Sequence, residues 1–460
     1  MNFINDLLKL MPQPITVRLL LLCVFMIYPA FVPVKAEAKK QSFIRDAEIE
    51  HIIRTYSTPI FLAAGLQPSS INIYLVNDKA LNAFVAGGQK LFLNTGLLTK
   101  SNSARQIIGV VAHETGHISG AHLLGIRDAM KNSSAARILA TVLGGLASMG
   151  GYTEVGTAIT TSGQGIGTRN YLQYSRNQEG AADAAAMRFL EATGQSAIGL
   201  LEFFEILGDQ ELLSVERQDP YYRSHPLTKM RINAVKAFVK RSSFTDKPDP
   251  PDFIQSHARM KAKLKAFIDP PSRTLRTYKE GDNRVEARYA RAIAYYRRPD
   301  MKRALPLING LINEYPANPY FQELKGQMLF ENGKIKDALP HYEKAVTLAP
   351  DAPLLRRALG RIQIESGDPR LLKHAINNFV IAIGVDSTDH FTWRLLGTAY
   401  GKAGQIGESS LALAEEALLL NKPADARFHG ERASSLLRKD TTEWIQAQDI
   451  LNTLENAKTK

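Results

Sequence analysis

Cysteine is nearly missing from this chain: among 460 residues there is one, Cys23. It lies in an apolar run, Leu19 to Val34, which Pro29 and Pro33 interrupt. Such a run is shorter than a bilayer span requires. Lys9 and Arg18 precede it and Val34-Lys35-Ala36 closes it, so a secretory signal cleaved after Ala36 is expected. Leu22 stands where a lipid-modified cysteine would need a small neighbour, which argues against a lipoprotein. Loss of residues 1–36 leaves a chain without a thiol. A disulfide framework is thereby excluded, an oxidising compartment fits, and no cysteine can ligate a metal.

Nucleic-acid-binding motifs are missing too. The formal net charge of +12 therefore reads as surface character, with no nucleic-acid partner. Nor does any later run suit a membrane span. Ile138 to Gly151 is apolar but short, and glycines break it and continue through Gly167. A buried helix followed by a loose loop is expected there, with a lid or a peripheral membrane contact as the alternative. What the chain does have is a hydrophobic content of 45% and enough length for two or three domains with real cores.

Histidine is also sparse, at 10 residues, yet two of them fall in Val110-Val111-Ala112-His113-Glu114-Thr115-Gly116-His117. On a helix, residues four apart share a face, so His113 and His117 can reach one metal ion. Glu114, one position round, can lean towards a water on that metal. Two imidazoles suit zinc. A chance match on a solvated helix is the plain alternative, and the scarcity of histidine weighs against it. Any further ligand has to be histidine or a carboxylate.

Ile44 to Ala64 reads as an amphipathic helix. Extended runs follow at Ile71–Val76, Leu81–Ala86 and Lys90–Asn94, with turns at Asn77-Asp78 and Gly87-Gly88, so a small antiparallel sheet is expected beside the motif helix. Helical periodicity returns at Tyr171. Glu179 and Asp183 share one helix face among alanines, where burial is expected. Buried carboxylates need a partner, and a metal with its ligating histidines is available. Next comes His225-Pro226, with Arg231 about two turns on. By itself such a pair is usually an ordinary turn, and only the preceding motifs lend it weight.

Lys247-Pro248-Asp249-Pro250-Pro251-Asp252 reads as a linker, followed by a basic helix that ends at Pro270-Pro271. Beyond it the sequence repeats. Ala292, Ala304, Leu311 and Pro316 recur as Gly326, Ala338, Ala345 and Pro350, the period of a tetratricopeptide repeat. Trp393, Leu396, Gly397 and Tyr400 match that repeat's aromatic and small-residue signature. The expected division is a signal over 1–36, a metalloprotease domain over 37–246, a linker and basic helix over 247–271, and repeats over 272–460. The expected fold class is α+β: a mainly helical, zincin-like domain with a small β-sheet, then an all-α solenoid.

The motif at His113 to His117, the S-R-x-x-E-x-x-A-D stretch from Ser175 to Asp183, and His225-Pro with Arg231 resemble the superfamily of HtpX and the CaaX-prenyl and Oma proteases. With a signal before and repeats after, the arrangement is similar to the BepA-type periplasmic proteases of Gram-negative bacteria. The resemblance implies one zinc held by His113, His117 and Glu179, with Asp183 supporting the ligands and His225 close to the metal. It implies that Asn82-Ala83-Phe84 is the strand flanking the substrate cleft, and that the protein surveys outer-membrane protein assembly in the periplasm. Glu114 would be the general base, and His225 or Arg231 would stabilise the oxyanion. Alternatively, His225 is a fourth ligand that closes the resting site. The expected partners are unfolded or misassembled envelope polypeptides, with the repeats recruiting them or the assembly machinery. The rival reading is a non-proteolytic chaperone or scaffold working through the repeats.

Overall fold

The computed structural model describes residues 42–120, 165–208 and 220–456. The expected signal and the apolar stretch Ile138 to Gly151 lie outside the described residues. β1 (Phe43–Ile44) leads into α1 (Ala47–Ala63), which Asp46 caps by accepting from the Ile49 amide at 2.9 Å. β2 (Asn72–Val76), β3 (Ala83–Ala86) and β4 (Lys90–Asn94) complete the sheet, followed by α2 (Thr95–Lys100) and α3 (Ala104–Ser119).

The sheet runs in the order β1-β2-β4-β3 and is mixed. β3 and β4 form the expected antiparallel hairpin, its loop carrying Gly87 and Gly88 at φ of 56° and 91°. β2, however, pairs with β4 in parallel, Asn72 opposite Lys90 and Val76 opposite Asn94, which corrects the expectation of an all-antiparallel sheet. The reason is burial. Leu91 and Leu93 of β4 are both fully enclosed, so β4 takes the interior place and the shorter β3 is left at the edge. Alternation puts Leu75, Ala83, Leu91 and Leu93 in the core. The other face carries an aromatic ladder, Phe84 on Phe92 at 4.7 Å and Phe92 on Tyr74 at 4.9 Å.

α4 (Gly165–Ala192) and α5 (Ile198–Gly208) pack against α3. Two glycines permit it. A β-carbon on Gly109 would fall 2.7 Å from the Leu200 amide nitrogen of α5, and one on Gly116 would fall 2.7 Å from the Ala182 carbonyl oxygen of α4. Then come α6 (Pro220–Ser224), α7 (Lys229–Arg241), α8 (Pro251–Ile268) and α9 (Pro271–Thr277).

The repeats are helix hairpins: α10 (Val285–Tyr296) with α11 (Met301–Glu314), α12 (Pro319–Glu331) with α13 (Ile335–Leu348), and α14 (Pro353–Glu365) with α15 (Leu372–Val385). α16 (His390–Lys402) with α17 (Ile406–Leu419), and α18 (Pro423–Leu436) with α19 (Thr442–Asn456), complete the array. First helices start at 285, 319 and 353, in steps of 34. Between α14 and α15 the chain adds a short 3₁₀ turn, Pro369–Leu371. Small residues take large neighbours within each hairpin, Gly326 lying under Tyr342 and Gly360 under Phe379.

α8 belongs to both parts. Its Met260 and Leu264 join the core around α1, while Ala262 and Ala266 join the core of α10 and α11. At that junction Glu48 of α1 is fully buried and accepts from Arg259 at 3.0 Å and from the Tyr289 hydroxyl at 2.9 Å. Lys263 reaches Glu48 at 3.4 Å and Asp46 at 2.9 Å. Those cations hold the Glu48 carboxyl below its ordinary value although burial pushes it up. A charge buried this deeply persists only when paired.

Candidate active site

α3 brings His113, Glu114 and His117 to its buried face, beside β3 and α4. Gly116 allows α4 to come close enough to present Glu179 and Asp183. Between α6 and α7, Pro226 follows His225, and Thr228 caps α7 so that Arg231 lies in its first turn. His113, His117, Glu179, Asp183, His225 and Arg231 are all buried.

Ligand atoms of His113, His117, Glu179 and His225 lie within 4.8 Å of one another, a set able to hold a metal ion. His113 Nε2 is 3.1 Å from His117 Nε2 and 3.4 Å from His225 Nδ1. Glu179 Oε2 is 3.4 Å from His113 Nε2, and Oε1 is 3.5 Å from His117 Nε2 and 3.2 Å from His225 Nδ1. A tetrahedral zinc with ligands at about 2.0–2.1 Å spaces neighbouring ligand atoms about 3.3 Å apart. The separations fall around that value, and the nitrogen and oxygen donors suit zinc. The residues therefore fit the ion.

Behind the cluster, Asp183 accepts from Arg231 Nε at 2.6 Å and Nη2 at 2.9 Å, and pairs with His113 Nδ1 at 2.8 Å. The ionised carboxylate can only accept, so His113 carries its proton on Nδ1 and turns Nε2 towards the ligand centre. Arg231 Nη1 is 2.9 Å from Glu179 Oε2 and donates to the Pro226 carbonyl at 3.0 Å. One guanidinium thus ties both carboxylates to the loop bearing His225.

The electrostatics follow. Burial opposes ionisation of Glu179, but His225, Arg231 and hydrogen bonds from the histidines hold it well below the usual carboxylate range. Asp183 is likewise lowered against its burial, by Arg231 and His113. Burial resists charge on His113, yet Asp183 and Glu179 raise it to about 9. A proton and a divalent cation therefore compete for the same cluster. Glu114 differs. Burial raises its pKa, and His225, His113 and the Tyr221 hydroxyl offset only part of that; among the described residues neither oxygen makes a hydrogen bond of full geometry. Its nearest basic atom is His225 Nε2, at 3.5 Å from Oε1.

Of the strand Asn82-Ala83-Phe84, Asn82 lies just before β3 with its side-chain amide buried and, among the described residues, without a hydrogen-bond partner, while its backbone carbonyl accepts from the Asn94 amide at 3.0 Å. Ala83 faces the core and Phe84 the aromatic ladder. β3 is nonetheless an edge strand beside α3. Sequence reasoning missed Tyr221, fully buried, whose ring stacks on His225 at 4.5 Å while Phe203 closes on its other side at 5.1 Å. The available signal was an aromatic residue one helical turn before the histidine.

The site is that of a metallopeptidase: peptidase family M48 matches residues 44–239, and a tetratricopeptide repeat matches 323–369. The chain joins an M48 peptidase domain to a repeat array. It is 21% identical over 83% of its length to the beta-barrel assembly-enhancing protease of Yersinia pestis, covering 78% of that protein. It is 23% identical over 81% of its length to the protein of that name in Escherichia coli (strain K12), covering 76%. The metalloprotease YcaL of the same organism is 28% identical over 37% of this chain and 61% of its own.

Proposed function

We propose that the protein is a zinc-dependent endopeptidase of the periplasm that cleaves misfolded or stalled envelope polypeptides, with the repeats recruiting them or the outer-membrane assembly machinery. The observation that carries the enzymatic reading is the ligand cluster at tetrahedral spacing with the buried carboxylate of Glu114 beside it. The names of the similar proteins support the setting. A scaffold or chaperone without catalysis would have no need to bury the Glu114 carboxylate beside such a cluster, since burying a charge costs stability.

In this reading His113, His117 and Glu179 hold the ion. Zinc held there would supply Lewis acidity, activating a water near neutral pH and polarising the scissile carbonyl. Glu114 takes the proton from the attacking water and delivers it to the leaving amine. Asp183 keeps His113 in the tautomer that binds metal. Arg231, with its nitrogens engaged by Asp183, Glu179 and the Pro226 carbonyl, positions the two carboxylates. An extended substrate adds to β3 as a further strand.

His225 has a second reading, favoured by its Nδ1 lying 3.4 Å from His113 Nε2 and 3.2 Å from Glu179. Those are spacings of a fourth ligand, and four protein ligands make a closed site. We infer a resting state in which His225 occupies the position a water needs, released when its loop moves.

Glu114→Gln tests the catalytic reading. The variant is expected to keep one zinc per chain by atomic absorption and to lose cleavage of casein. Cleavage at the wild-type rate would remove Glu114 from the mechanism.

A further inference from the structure

A cavity of about 540 Å³ lies between the start of the peptidase domain and the repeats. Ile44 and Arg45 wall it on one side, and Glu323, Phe330, Tyr342 and Arg357 on the other. None of the residues of the metal cluster lines it.

Most of its charges are already matched. Arg45 is engaged by Glu50 at 2.8 Å and Asp386 at 2.7 Å, and Arg357 by Asp389 at 2.6 Å. Lys263 beneath the floor holds Asp46 and Glu48. Arg361 is engaged by Glu365 at 3.1 Å, and Glu331, with no cation among the described residues, accepts from Gln327 at 2.9 Å and from the Tyr296 hydroxyl. Glu323 differs from these: among the described residues it has neither a cation within ion-pairing distance nor a hydrogen-bond donor. Burial, with Asp46 and Glu48 behind it, pushes its carboxyl up to about 7 in spite of Lys263. Asp46, Glu48 and Glu323 share two cations there, Lys263 and Arg259, so the carboxylates outnumber their cations by one. Two aromatic rings of the wall already accept cations, Phe330 under Arg361 at 5.1 Å and Phe391 under Arg357 at 5.5 Å.

We propose that this chamber binds a primary ammonium group of an extended polypeptide, seated on Glu323 with its neighbouring residues against Phe330 and Tyr342. A single carboxylate suits a point charge better than a guanidinium fork. The volume is that of a pocket for a multi-residue ligand, so a lone amine would leave most of it to water. The group can come from a lysine side chain or a chain N-terminus. Either way the occupant touches the peptidase domain and the repeats together, and neither part alone forms the site. Because α1 follows Arg45 directly and packs on α3, the chamber places a bound segment one helix away from the metal-binding helix.

The test uses the full chain carrying Glu114→Gln, which leaves peptides intact, and fluorescence anisotropy at neutral pH. The probes are labelled acetyl-Ala-Tyr-Lys-Tyr-Ala-amide, the same peptide with acetyl-lysine, and Ala-Tyr-Ala-Tyr-Ala-amide with a free N-terminus. At least one ammonium-bearing peptide is expected to bind saturably, and which one names the source, while the acetyl-lysine peptide does not. Glu323→Gln should weaken binding by about tenfold or more, the loss expected for a charged hydrogen bond. Gln327→Lys, one turn along α12 from Glu323, should block it by supplying an internal ammonium, and keeps the test valid should Glu323→Gln disturb folding. Equal binding of the lysine and acetyl-lysine peptides, binding untouched by either variant, or no binding by any peptide would each overturn the proposal.

Discussion

Gly116 and Ala182 meet backbone to backbone: a β-carbon on the glycine would lie 2.7 Å from the alanine's carbonyl oxygen and 2.9 Å from its α-carbon. The contact sets how far Glu179, a turn before Ala182, stands from the histidines on α3. Gly116→Ala is therefore expected to push α4 outward. Overpacking of this kind costs about 1–3 kcal/mol, and zinc content should fall with it. Urea unfolding and atomic absorption on the same preparation check both, and full zinc in an unchanged fold would refute the spacing argument.

Glu179 and Asp183 should separate by magnitude. Glu179→Ala removes a proposed ligand and is expected to abolish stoichiometric zinc. Asp183→Asn leaves an acceptor for His113 Nδ1 but removes the charge that pairs with Arg231. Loss of such a supporting group typically lowers metal affinity about 10–100-fold. Competition with a chelating dye measures the two. A Glu179→Ala protein that retains zinc as tightly as the Asp183→Asn protein would remove Glu179 from the ligand set.

His225 distinguishes a latch from an oxyanion donor by sign. As a closing ligand, its replacement by alanine raises cleavage of an unfolded substrate. As a donor, its loss lowers turnover by about 10²-fold or more. We expect the rise. Reduced cleavage with zinc fully retained would sink the latch.

Acid sensitivity should appear at the junction of the two parts. The folded-state pKa of Glu48 lies below its ordinary value of 4.5, so its contribution is present above that pH. It is lost as pH falls through the folded value. Glu48→Gln strips Arg259 and Tyr289 of their shared partner, and breaking a buried pair typically costs about 3–5 kcal/mol. The expected result is a large destabilisation in urea at pH 7 that shrinks at pH 3. An equal penalty at both pH values would show that Glu48 acts by packing and not by charge.

What could be read in advance was local or periodic. His113 and His117 lie on one helix face because they are four apart. The repeat steps of 34 survive because every hairpin solves the same packing problem with a small residue under a large one, as Gly326 under Tyr342. The Glu179–Asp183 face was legible for the same reason, since a helix fixes the spacing whatever it packs against. Strand order was not. Local signals place the turn at Gly87-Gly88, but they do not say that β4 would lie inside and pair with β2 in parallel, which depends on which strand buries more surface. Only tertiary structure decided the roles of charge. Arg231 meets Asp183 across 48 positions, Arg259 meets Glu48 across 211, and Tyr289 meets Glu48 across 241. A charged residue carries no mark of its partner along the chain. Its partner is chosen by burial, where an unpaired charge is too costly to keep, and burial is settled only when the chain has folded.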